Sequence, residues 1–169
     1  MSEKSKLILG IDPGTCVTGY GLIRMDERRF FSVVDYGSIS PPAAKPLSFR
    51  YRVIYQAIEE LINIHHPQVV AVETQYVHKN PQSAIKLGMA RGVVLLAAAL
   101  RDIPIFEYAP SRAKRAVVGN GNASKQQVGG MVQRILSLSE FPKPEDAADA
   151  LALAICHGQT LGKETCIPI

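Results

Sequence analysis

The chain has 169 residues, 47% hydrophobic and 20% charged, with 19 Lys and Arg against 15 Asp and Glu. That length suffices for one compact domain with a true core and falls short of two full ones. The composition is that of an ordinary globular protein, and a net charge of +4 with a pI near 9.0 agrees with a polyanionic partner without requiring one.

Residues 7–11 are a continuous apolar run, suited to a strand buried on both faces. Asp12-Pro13-Gly14-Thr15 follows as a turn. Residues 17–25 and 30–39 read as the next two strands, parted by the charged turn 26–29. The proline-rich stretch 40–46 reads as a connector. Residues 49–64 then place Val53, Ile54, Ala57, Ile58, Leu61 and Ile62 at helical spacing. A short buried strand is expected over 69–73, a long helix over 82–100 and a strand over 103–108. Helices follow at 111–118, 124–138 and 144–157, with Pro144 suited to a first helical position. This is an α/β plan: a mixed five-stranded sheet flanked by helices, in a single domain over 1–169 with its core at about 6–158 and a short C-terminal tail.

Cys16, Cys156 and Cys166 fit neither a zinc pattern nor a redox pair, so reduced thiols are expected. Residues 1–6 are polar, and no secretory leader is expected. The longest apolar stretch, 92–100, lies between Arg91 and Arg101 and is too short to cross a bilayer. A soluble, cytoplasmic protein without a membrane partner is the expectation.

Two acids stand in apolar company. Asp12 ends the first strand and Glu73 the fourth, where burial costs free energy unless something compensates it. For Asp12 the plain alternative is that it caps the turn at Gly14 and Thr15. Glu73 has no turn to serve. Asp146 and Asp149 lie three apart on the last helix and share a face. The helix dipole accounts for Glu145 and Asp146 in a first turn, but less well for Asp149 among Ala148, Ala150 and Leu151. Such acids repel one another without a cation. Magnesium takes oxygen ligands, often a few carboxylates plus phosphate oxygens, and paired ions serve phosphodiester hydrolysis.

The segments Gly10-Ile11-Asp12-Pro13-Gly14-Thr15, Val72-Glu73, Lys86-Leu87-Gly88-Met89-Ala90-Arg91-Gly92 and Asp146-Ala147-Ala148-Asp149-Ala150-Leu151-Ala152, in that order, resemble the crossover junction endodeoxyribonuclease RuvC family. The likeness runs from about residue 6 to 157. It implies an RNase H-like fold, a homodimer, and magnesium-dependent resolution of Holliday junctions by symmetric nicks in strands of like polarity. Manganese is implied as a substitute, with two ions per active site during cleavage. The products would carry 5′-phosphate and 3′-hydroxyl ends, and cutting would prefer a short thymine-containing sequence. Asp12, Glu73, Asp149 and, ranked below them, Asp146 match the metal-binding acids. Lys114 and Lys125 match family lysines near the scissile phosphate, and RuvA and RuvB are implied as branch-migration partners.

Other residues fit a nucleic-acid surface. Tyr76, followed by Lys79 in a polar stretch beside Glu73, matches a family aromatic that wedges the junction; the alternative is that it packs on its own loop. Arg112, Lys114, Arg115 and Lys125 make the strongest basic patch, fit for phosphates, with a solvated helix face as the alternative. The helix over 82–100 carries Ala84, Gly88, Ala90 and Gly92 and then turns apolar all round. Burial within one subunit explains this, and so does burial between two. None of the four scattered histidines reads as catalytic. Three rivals remain: an ATPase of the actin type, which shares the Asp-x-Gly-Thr wording, a non-catalytic junction binder, and a ribonuclease acting on RNA–DNA hybrids.

Overall fold

The computed structural model describes residues 5–74, 80–161 and 168–169. Tyr76, His78, Lys79 and Cys166 lie outside these. Among the described residues, β1 (Lys6–Asp12), β2 (Thr18–Met25) and β3 (Phe31–Ile39) form an antiparallel meander. β4 (Val69–Glu73) pairs parallel with β1, and β5 (Ile105–Tyr108) pairs parallel with β4. The sheet order is β3-β2-β1-β4-β5, which makes β1 central.

The alternation of side chains along β1 divides the core. Leu7, Leu9 and Ile11 join Ile54, Ile58, Ile62, Val70 and Val72 beneath α1 (Leu47–His65) and α2 (Pro81–Ala99). On the opposite face, Ile8 and Ala71 join Val117, Val132, Leu151 and Ile155 from α3 (Pro110–Val118), α4 (Lys125–Ile135) and α5 (Glu145–Thr160). Each fully buried Ile or Leu contributes about 1.5–3 kcal/mol relative to exposure. A continuous apolar run is therefore what a two-faced central strand requires.

Helix ends follow local chemistry. Asn80 caps α2 by accepting from the Gln82 and Ser83 amides, with Pro81 at the first position. Ser124 and Gln127 form a reciprocal capping box on α4. α1 stops where His66 takes a left-handed conformation and its N–H bonds the Ile62 carbonyl.

Three expectations change. α4 ends at Ile135, short of 138, because the chain turns at Ser137 with φ of 52°. Pro144 precedes α5 as its cap residue, so Glu145 takes the first helical position. Burial of α2 within one subunit fails. Ala90, Val94, Ala97 and Ala98 face the core, but Ile85, Met89, Leu96 and Leu100 are 52–64% exposed. By length and composition α2 is also apolar enough to cross a membrane, unlike the shorter run 92–100 taken alone.

The seat of α5 decides the position of the site. Gly10 of β1 and Gly21 of β2 are register partners, and Gly19 lies opposite Asp12. A Cβ at Gly10 would overlap the Ala150 carbonyl, one at Gly19 the Asp146 carbonyl, and one at Gly21 the Leu151 side chain. Three bare positions let the helix backbone rest directly on the strands.

Candidate active site

The parallel pairing of β1 and β4 brings their carboxyl ends side by side, and with them Asp12 and Glu73. The N-terminal half of α5, pressed against Gly19 and Gly10, delivers Asp149 to the same place. Asp12, Glu73 and Asp149 line one cavity of about 270 Å³ together with Lys114 of α3 and Lys125 of α4. A crevice beyond the carboxyl ends of central strands is where α/β sheets commonly place their chemistry.

Asp12 does not serve the turn that follows it. The Thr18 hydroxyl closes that turn, donating to the Gly14 carbonyl at 2.8 Å and accepting from the Gly14 amide at 3.2 Å. Capping therefore does not explain this acid. The Thr74 amide bonds the Tyr108 carbonyl at 2.9 Å and holds the end of β4, and Glu73 with it, against β5.

The cavity penalises negative charge. Burial first, then Glu73, Asp149 and Asp146, push Asp12 from an ordinary 3.8 up to about 8. Burial and then Asp149 push Glu73 from 4.5 to about 7, against opposing pulls from Lys114 and Lys125. Burial also raises Asp149, although Lys125 works the other way. Burial pulls the Lys125 ammonium down, but Asp149, Glu145 and Asp146 outweigh it and leave it above the usual lysine value. Its Nζ lies 3.3 Å from Glu145 Oε2 and 3.7 Å from Asp149 Oδ2.

Asp146 is outside the cavity lining, though its charge reaches Asp12, Asp149 and Lys125. Arg112 and Arg115 are exposed and also outside that lining. The Arg112 guanidinium stacks 5.1 Å from the centre of the Tyr108 ring, and Arg115 sits over the turn at Gly121. The basic patch thus divides into two lysines at the acids and two arginines on the flank. Sequence reasoning missed Glu145 as the partner of Lys125. The signal was its spacing of four from Asp149, which sets both on one face of α5.

Among the described residues, no three His, Cys, Asp or Glu side chains close into a ready-made metal cage. The acids form the walls of an open cavity. That suits a hard cation such as magnesium, which keeps much of its coordination for water and phosphate oxygens. The all-oxygen donor set and the upward push on Asp12 and Glu73 both favour an added positive charge.

His157 is buried in the core with its Nδ1 2.7 Å from the Tyr108 hydroxyl, and His65 lies 3.8 Å from Asp35. Neither histidine lines the cavity. Cys16 is exposed and Cys156 buried, and neither forms a disulfide among the described residues.

A family model described as crossover junction endodeoxyribonuclease RuvC matches residues 8–157, a span that holds all four acids and both lysines. The chain belongs to that family. The RuvC of Protochlamydia amoebophila is 64% identical over 153 residues, 90% of each chain. That of Chlamydia felis is 56% identical over 158 residues, 92% of this chain and 94% of its own. Among solved structures, T. thermophilus RuvC in complex with Holliday junction substrate matches with a TM-score of 0.90 at 32% identity, covering 97% of this chain and 99% of that one. The mixed sheet and its flanking helices are the RNase H-like fold of RuvC.

Proposed function

We propose that this chain resolves Holliday junctions in DNA recombination and repair, as a structure-selective endodeoxyribonuclease. The observation that carries the reading is one cavity, in a RuvC fold, lined by Asp12, Glu73, Asp149, Lys114 and Lys125. Its active unit is the single domain with a core over about 6–158, acting in the cytoplasm.

Nucleases of this family depend on a metal. Here Asp12, Glu73 and Asp149 would hold it, with Asp146 a more distant contributor, and magnesium, replaceable by manganese, fits the oxygen donors best. Two ions per site during cutting would supply Lewis acidity and neutralise the acids. Lys114 and Lys125 meet the scissile phosphate and take up charge that builds on its oxygens. Arg112 and Arg115 hold phosphates farther along the strand. Tyr76 as a junction wedge and Lys79 as a DNA contact rest on sequence alone. The products are 5′-phosphate and 3′-hydroxyl ends.

Two strands of like polarity need two sites related by symmetry, and a homodimer supplies them. The exposed face of α2 is suited to this. Ile85, Met89, Leu96 and Leu100 follow one helical stripe, and a Cβ at Gly88 or Gly92 would meet nothing within 4 Å. An apolar stripe of this kind marks a protein surface awaiting a partner. RuvA and RuvB are the proposed partners in branch migration.

The deciding experiment offers a synthetic four-way junction, a linear duplex and an RNA–DNA hybrid, each with and without magnesium. Paired nicks in the junction alone, only with magnesium, are expected. Preference for the hybrid, or ATP-dependent stabilisation without cutting, would support a rival instead. Leu96→Glu tests the dimer. Sedimentation should give a monomer, with paired cuts replaced by rare single nicks. A variant that still sediments as a dimer would move the subunit contact elsewhere.

A further inference from the structure

Beside the cleavage cavity lies a second, of about 400 Å³, that the proposed reaction does not use. It is lined by Lys125, Gln126, Phe141, Glu145, Ala148 and Asp149. Lys125 and Asp149 line both cavities, so the two are neighbours with a common wall. A strand whose phosphate lies at Lys125 has a neighbouring nucleotide within reach of the second cavity.

The wall chemistry disfavours a phosphate there. Glu145 and Asp149 are both acids, and Lys125, the one cation of the lining among the described residues, lies 3.3 and 3.7 Å from them. A second phosphate would meet net negative charge. A flat, uncharged group fits better. The Phe141 ring packs onto α4 at Gly129, so closely that a Cβ there would overlap it. Yet the ring remains only half-buried and lines the cavity. An aromatic ring backed by a helix and open in front is a stacking platform for a base. Gln126, exposed in the first turn of α4, offers an amide donor and an acceptor to a base edge. The cavity lies within the size range of small-ligand pockets.

We infer that this cavity receives a nucleobase of the strand being cut, next to the scissile phosphate, stacked on Phe141 and read at its edge by Gln126. The inference rests on the proposed nuclease activity. Unstacking is least costly where pairing is already broken, as at a branch point. The pocket would then turn the local sequence into a rate of cutting, with a position and an edge-reading residue, Gln126, to which that preference is assigned.

The test uses full-length protein and junctions permuted at each position flanking the cut. Native protein should show a spread of about tenfold or more among bases at one adjacent position. Gln126→Ala should compress that spread to about threefold, chiefly by slowing the favoured sequences, and Phe141→Leu should slow every sequence by about tenfold, because stacking is nearly indifferent to the base. Phe141→Leu keeps an apolar side chain on Gly129, and thermal unfolding checks that it folds. In Asp12→Asn protein, a fluorescent purine analogue at that same position should brighten on binding as it leaves its neighbours. An unchanged cutting rate in folded Phe141→Leu protein would make Phe141 a packing residue only and overturn the inference. So would an unchanged spread in Gln126→Ala, or an analogue that stays stacked at every position. If native protein cuts no junction at all, the nuclease reading fails first and the subsite with it.

Discussion

Asp12→Asn stops junction cutting, by about a thousandfold or more, and leaves a protein that is harder to unfold without a divalent cation. Both effects come from the same burial. Asp12 sits at the end of a two-faced strand, where desolvation and the charges of Glu73, Asp149 and Asp146 push it up to about 8. Asparagine keeps the shape and discards the charge. The folded value lies above the unfolded one, so protonated Asp12 contributes stability that is complete below about pH 4 and lost as pH rises through about 8. Glu73, raised to about 7, acts in the same direction over a slightly lower window. In chelator, native protein should therefore be less stable at pH 8 than at pH 5. The variant should lose less across that interval and exceed native stability at pH 8 by about 1–3 kcal/mol. Magnesium should restore the native protein more than the variant. Urea unfolding at both pH values, with and without magnesium, measures all of this. Normal cutting by Asp12→Asn would remove that acid from the mechanism, and a variant weaker than native at pH 8 would remove the electrostatic account.

Gly10→Ala should cost more than about 3 kcal/mol or leave no soluble protein. Overpacking in a core is usually relieved by rotating or shifting a side chain. At Gly10 the obstruction is backbone, since the added carbon would overlap the Ala150 carbonyl and approach the Ala154 amide to 2.9 Å. Relief requires lifting α5 off the sheet. That helix supplies Leu151, Leu153 and Ile155 to the core, and each is at most 1% exposed. Any Gly10→Ala protein that folds should cut far more slowly, because Asp149 rides on the displaced helix. Gly130→Ala is the matched control. It lies in α4 with nothing within 4 Å of its added carbon, and should gain about 0.5–1 kcal/mol from reduced chain entropy. Urea midpoints compare the two. A mild loss at Gly10 would mean that α5 is not anchored through its backbone.

The sequence foretells the strands well because burial on both faces leaves a plain signature. Residues 7–11 and 69–73 are nearly unbroken apolar runs, and they become β1 and β4. Asp12 and Glu73 are conspicuous for the same reason: each interrupts such a run at its end. Other features depend on partners distant in the chain. The sequence leaves open whether Asp12 caps its own turn, and the Thr18 hydroxyl closes that turn instead. The Tyr108 ring beneath Arg112 joins separate elements, and no local pattern announces that pair. The exposure of α2 was equally hidden, because an apolar helix reads alike whether its own fold or a second subunit covers it. Gly10, Gly19 and Gly21 look like ordinary weak points in strands until the helix above them is placed.

β1 and α5, far apart along the chain, meet at this cavity, and that has a bearing on when the enzyme can act. Asp12 is made early in translation, whereas Asp149 arrives on the last helix. A growing or truncated chain holds only part of the acid set and lacks the helix that fills one side of the sheet. Cutting power then appears only once α5 is made and seated. A copy released before α5 is made cannot complete the acid set.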